Sequence, residues 1–277
     1  LGLKTMTAHT PNVGSGPPEW AAIEAIGRKG YLCPSVPEAR AALLKACENK
    51  YRSGPAPDYI RMNSGDGGGC ECERCAPYGG TYIELCGQMA EIIHRYHPRT
   101  EIFVTNQKLD NAGDRAIFDY LQKKTRTWMR AFCYGPGSNA MGWMPGRRQD
   151  HRTDLFRYRG FGALDRYCRE IVHQLPPQQS LVFFTDLTHW VYSQYGLMDH
   201  EMLADRNGEV PPADDYSMYE KQPDPYLAMV YDRRTFHARP RNYYHVFRET
   251  MRYGIGDCTY SEGHHDHFNQ WMWQRLL

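Results

Sequence analysis

Eleven residues, GDGGGCECERC at 65–75, hold three acids, four glycines and three cysteines. A CxCxxC spacing is three quarters of a tetrahedral thiolate site, because structural zinc takes four ligands. Cys33, in GYLCPS, is the candidate fourth. Cys33, Cys70, Cys72 and Cys75 therefore form the expected set for a structural zinc, with a disulfide inside the set or free thiols as the alternatives. Asp66 stands just before three glycines that let other backbone approach closely. It could serve as an acid, a base or an anchor for a sugar hydroxyl, or merely cap an Asx turn.

Two further clusters carry groups for proton transfer. Glu262 lies in CTYSEGHHDHFN between Tyr260 and His264, where an aromatic surrounding would raise a carboxyl toward general-acid range. Asp186 and His189 lie in FFTDLTHW, with Trp190 as a stacking wall. Two carboxylates facing one site are the minimum machinery of glycoside hydrolysis, so Asp66 and Glu262, assisted by Asp186, are the expected catalytic groups. His264, His265 and His267 do not repeat at i, i+4 and no HExxH occurs, which argues against a catalytic metal there. Ser64 and Ser261 lack a GxSxG elbow.

These residues need a scaffold that brings them together, and the hydrophobic periods describe one. Apolar runs at 3–10, 57–66, 100–107, 128–135, 180–190 and 257–263 read as strands. Helical patterns follow at about 37–51, 80–98, 110–124, 154–175 and 225–253, and the chain closes on HDHFNQWMWQRLL. In the second helix Tyr82, Leu85, Cys86, Met89, Ile93 and Tyr96 share one face. Alternating strands and helices imply a parallel sheet. No glycine-rich phosphate turn follows the first strand, and the strands end in His9, Asp66, Asn106, Tyr134, Asp186 and Glu262, which favours a (β/α)8 TIM barrel with those ends at one mouth.

Six strands are two short of a barrel, so the segment reads as about strands 3 to 8 of a single domain, completed by an upstream segment of the same polypeptide. Its start at LGLKTMTAHT, without Met, fits that reading and leaves the compartment open: secreted or periplasmic if an upstream signal exists. The long connections 136–153 and 191–224 are expected to wall the substrate site. His9, Asn106, Tyr134, His189, Trp190, Tyr260 and His264 are its expected substrate-binding residues.

Composition narrows the ligand. With 33 basic and 32 acidic residues, no net field favours nucleic acid or a membrane surface, and no apolar run is long enough to span a bilayer. Twenty Tyr, 10 Phe and 6 Trp suit a concave site that stacks flat sugar rings, so an oligosaccharide is the expected partner. The chemistry requires no cofactor. The alternatives are a non-catalytic glycan-binding barrel and a metal-dependent hydrolase.

YLCPSVPEAR, DYIRMNSGDGGGCECERC, EIIHRYHPRTEIFVTNQ and YSEGHHDHFNQWMWQRL resemble the barrel domain of a bacterial glycoside-hydrolase group related to hexosaminidase and α-glucuronidase barrels. The resemblance covers about residues 30–277. It implies a (β/α)8 barrel acting on a glycan, with Asp66 and Glu262 at matched motif positions. One departure is plain: hexosaminidases of the best-known kind use an adjacent Asp-Glu pair, whereas Asp66 is followed by Gly67.

Overall fold

The computed structural model describes residues 4–23, 29–65, 69–107, 109, 111–123, 128–134, 163–184, 186–189, 244, 247, 248, 250–258, 260–262 and 266–276. The chain divides into two compact units, one of residues 1–134 and 175–180, the other of 135–174 and 181–277.

The first unit is an α/β layer structure. Its strands are β1 (Met6–His9), β2 (Tyr59–Met62), β3 (Glu101–Thr105) and β4 (Ala131–Tyr134), and its helices α1 (Pro37–Ser53), α2 (Tyr78–Tyr96) and α3 (Asn111–Lys123). The strands are parallel and paired in chain order, with His9 beside Met62, Met62 beside Val104 and Val104 beside Phe132. Ser180, the last residue of this unit, opens β5 (Ser180–Phe183), fifth in the strand order. These are the strands and helices expected from the apolar periods: the strands and α3 are shorter than their runs, α1 extends to Ser53, and α2 starts and ends two residues earlier.

Register decides which side chains meet the helices, because neighbours in a parallel ladder point to the same face. His9, Ile60, Met62, Val104 and Phe132 occupy one face. Phe132 meets Phe118 of α3 edge-on at 5.4 Å, and His9 faces Tyr51 of α1 at 5.9 Å, so this face carries the helical layer. Arg61, Phe103, Thr105, Ala131 and Cys133 occupy the other; there Tyr59 and Phe103 meet at 5.6 Å. Thr105, Ala131 and Cys133 are fully buried on it. Strands buried on both sides explain why β3 and β4 read as continuous apolar runs.

Helix α2 is the centre of the layer. Tyr82, Leu85, Cys86, Met89 and Ile93 are buried as the period predicts, and Tyr82 donates from its hydroxyl to the Met62 carbonyl at 2.7 Å. Tyr96 lies at the margin, donating to Glu48 at 3.0 Å. At its first turn α2 almost touches α3: a Cβ on Gly79 would fall 1.9 Å from the Gly113 carbonyl oxygen. Gly79→Ala is therefore expected to force the two helices apart and cost roughly 1–3 kcal/mol in urea unfolding.

In the second unit, α4 (Ala163–Gln174) precedes the remainder of β5. Segment 255–258 runs beside β5, with Leu181 accepting from Ile255 at 2.8 Å and Phe183 accepting from Cys258 at 2.7 Å. β6 (Asp186–His189) and β7 (Tyr260–Glu262) form a separate parallel pair, and α5 (Asp266–Leu276) buries Trp273 edge-on against Phe247 at 5.7 Å. The run 180–190, expected as one strand, is thus two. Its apolar half joins β5, while its polar half, from Asp186, pairs with β7 and carries a register shift between Asp186 and Thr188. No helix among the described residues is long and apolar enough to cross a membrane.

Candidate metal centre and strand-end groups

Two loops leave the C-terminal edges of neighbouring strands, and a sulfur cluster joins them. The β1–α1 connection folds on itself through antiparallel bridges Val13–Tyr31 and Ala21–Leu32. Cys33 is anchored there by its N–H, which donates to Trp20 O at 2.7 Å. In the β2–α2 connection Gly69 has a φ of +98°, the left-handed conformation glycine tolerates. The Tyr78 ring occupies the space a side chain at Gly69 would need. The same loop is tied to the first by Glu71 N–H donating to Ile23 O at 2.7 Å. A tight turn, with Cys75 N–H on Cys72 O at 2.9 Å, then sets the CxxC pair side by side.

Cys33, Cys70, Cys72 and Cys75 are brought together so that their sulfurs all lie within 4.8 Å of one another. Cys33 Sγ is 3.6 Å from Cys75 Sγ and 3.7 Å from Cys72 Sγ. A disulfide needs about 2.05 Å, and these are free thiols. Four sulfurs at about 2.3 Å from one tetrahedral ion would stand about 3.8 Å apart, close to the spacing present. The group could therefore hold a metal ion. Three of the four are buried, Cys72 being half-buried, as befits a closed structural site.

Polar contacts favour thiolate at Cys70, whereas burial pushes Cys33 up. The Cys75 thiol and the N–H groups of Cys72 and Ile23 all donate to Cys70, which is pulled down to about 5 despite burial. Cys75, which keeps its proton as the donor to Cys70, is pushed up. Ser35 donates its backbone N–H to Cys33, and its hydroxyl oxygen is 3.0 Å from Cys75 Sγ. Tyr78 is buried, stacks on Tyr82 at 6.0 Å, and its hydroxyl has no hydrogen-bond partner among the described residues.

The other expected residues fall in distinct places. His9 turns toward the helical layer, with Nδ1 3.4 Å from Lys50 Nζ and 3.5 Å from the Tyr51 hydroxyl. Asn106 is fully buried and donates to Asp114, in the first turn of α3, at 3.0 Å. Tyr134 is buried against Phe132 at 6.2 Å. Asp66, Trp190 and His264 lie outside the described residues, as do the connections 136–153 and 191–224. On the first unit's strand edge the sequence reading passed over Asn63 and Thr105, whose side chains meet at 3.4 Å, and used Ser64, which donates to the Gln107 carbonyl, only as a rejected nucleophile.

β6 and β7 gather four of the expected residues. Their parallel register sets Asp186 beside Tyr260 and His189 beside Glu262. Neighbouring strands run about 4.8 Å apart, so the last residues of both strands, His189 and Glu262, share a level at the same edge of the ladder.

Burial, and secondarily the charge of Lys50, lowers His9 to about 4. Its folded pKa lies below the unfolded one, so neutral His9 stabilises the fold fully above about pH 6.5, and that contribution drains away as pH falls toward 4. The loss is on the order of 3 kcal/mol. Urea midpoints at pH 7 and pH 4.5 should diverge less in His9→Gln than in the parent.

Comparison with protein-family models finds no match for the chain, and comparison with curated proteins finds none either.

Proposed function

We propose that this chain is a carbohydrate-active (β/α)8 barrel that hydrolyses glycosidic bonds by carboxylate acid-base chemistry. The observation that carries the reading is the parallel register of β6 and β7, in which His189 and Glu262 end adjacent strands while Asp186 and Tyr260 open them. In parallel α/β folds, chemistry sits at the C-terminal edges of strands. Glu262 is the general acid that protonates the leaving oxygen, with His189 beside it to hold its proton state. Asp186 is the second carboxylate of the group, and Asp66, four residues before Cys70 in the sequence, takes a sugar hydroxyl. Tyr260 and Trp190 supply stacking surface.

The four cysteines take zinc in this reading. Four soft thiolates in a closed tetrahedron suit zinc, which needs no redox chemistry and no open position for a structural task. Its task is to clamp the loop that begins at Gly65 onto the β1–α1 connection, which it does by linking Cys33 to cysteines 39 and 42 residues away. Zinc supplies no step of the hydrolysis.

The test is turnover on a panel of aryl glycosides and oligosaccharides, with Glu262→Gln and Asp186→Asn beside the parent. Cleavage by the parent and its loss in Glu262→Gln would support the assignment. Binding of glycans without cleavage by any of the three would replace it with a glycan-binding role.

A further inference from the structure

A zinc tetrathiolate is doubly negative, and burying that charge requires donors aimed at the sulfurs. Backbone supplies three of them: the N–H groups of Cys72 and Ile23 on Cys70 and of Ser35 on Cys33. Cys75 receives none of those three. One side-chain hydroxyl touches the centre, and a second lies within electrostatic reach of it. Ser35 Oγ is 3.0 Å from Cys75 Sγ and 3.1 Å from the Arg74 carbonyl, so its single proton can serve either one. Tyr78 sits three residues beyond Cys75, its ring packed on Gly69, the neighbour of Cys70. Of the cysteines within electrostatic reach of its hydroxyl, Cys86 acts most strongly, followed by Cys75, Cys70 and Cys33 of the centre.

That hydroxyl is otherwise hard to explain. A phenylalanine would fill the same space against Gly69 and Tyr82 without burying an unsatisfied O–H, which usually destabilises a fold. A buried phenol without a partner becomes useful once the sulfurs within its electrostatic reach carry charge.

We propose that the hydroxyls of Tyr78 and Ser35 are the outer shell of the four-cysteine centre, donating to its thiolates when zinc is bound and thereby setting how tightly the ion is held. This rests on the zinc reading given above. The two residues are positioning residues and do not ligate the metal. Outer-shell partners of this kind change metal affinity by roughly 10- to 100-fold.

The experiment measures zinc affinity by competition with a chromophoric chelator for the parent, Tyr78→Phe and Ser35→Ala, and records the melting temperature of each metal-free protein. Each variant should hold zinc about tenfold more weakly. Metal-free Tyr78→Phe should melt no lower than the metal-free parent, since the orphan hydroxyl is gone and the ring packing remains. In the cobalt-substituted proteins, losing a donor should move the thiolate-to-cobalt band to longer wavelength. Equal zinc affinity in all three proteins would overturn the proposal while leaving the zinc site standing, as would a weakening matched by a lower metal-free melting temperature. A parent that takes up no zinc would overturn the zinc reading itself, and this inference with it.

Discussion

Stripping metal from the purified protein with a chelator is expected to lower its melting temperature by about 10 °C. A ligand held at a thousandfold excess over its dissociation constant stabilises the folded state by about 4 kcal/mol, and in a chain of this size each kcal/mol moves the midpoint by about 2–4 °C. The direction follows from the way the centre is built. Cys33 belongs to one connection and the other three cysteines to another, so an ion held there would close a long loop that otherwise depends on backbone contacts such as Glu71 to Ile23. Cys75→Ser should reproduce most of the effect, because it removes a ligand and leaves the remaining three without a closed tetrahedron. Hydrogen exchange should accelerate at 31–36 and 69–77 and stay slow in α2, whose buried face does not rest on the ion. A melting curve unmoved by chelator, with metal analysis showing none bound beforehand, would mean that the four thiols are merely packed together.

Glu262→Gln is expected to reduce turnover by about 10²–10⁴-fold with little change in substrate affinity. Glutamine keeps the size and hydrogen-bonding reach of the side chain and removes only the exchangeable proton, so the loss reports proton transfer rather than binding. Asp186→Asn should also lower turnover. His189→Gln should instead move the limb of the pH–rate profile that belongs to Glu262, since in this account the imidazole acts through the carboxylate beside it. Equal losses of affinity in all three variants, with turnover of bound substrate intact, would turn the group into a binding surface.

Much of the scaffold could be read from hydrophobic period alone. The buried face of α2 is the one expected, and the strand-helix alternation of the first unit follows the apolar runs closely. The four-cysteine group was also legible, because ligand number demanded a partner for CxCxxC and Cys33 lies in the neighbouring connection. What the pattern could not supply was side-chain parity. His9 was singled out as the last polar residue of its strand, yet the ladder register assigns it to the helical face; Asn106 and Tyr134, chosen on the same ground, are engaged by Asp114 and Phe132. Asn63 and Thr105, one position away from a strand end or at it, make the opposite-face contact that the same criterion missed. A period of two counted back from each strand end would not separate the two sets, because the strands end out of step: His9 lies level with Met62 and Val104, one residue short of the end of β3 at Thr105.

The split of 180–190 was hidden for a different reason. Leu181 to Phe184 and Asp186 to His189 are both acceptable strand sequences, and only partner choice distinguishes them: the first lies along 255–258 and the second along β7. Ser35 and Tyr78 were invisible because no spacing rule announces an outer-shell hydroxyl. They emerge only when the sulfurs have positions.

The most direct test of the central claim is the steady-state turnover of the zinc-loaded parent and of Glu262→Gln on the glycoside that the panel shows to be cleaved. The account predicts hydrolysis by the parent and a loss of about 10²–10⁴-fold in kcat for the variant, with KM preserved. Equal kcat in the two proteins would contradict it.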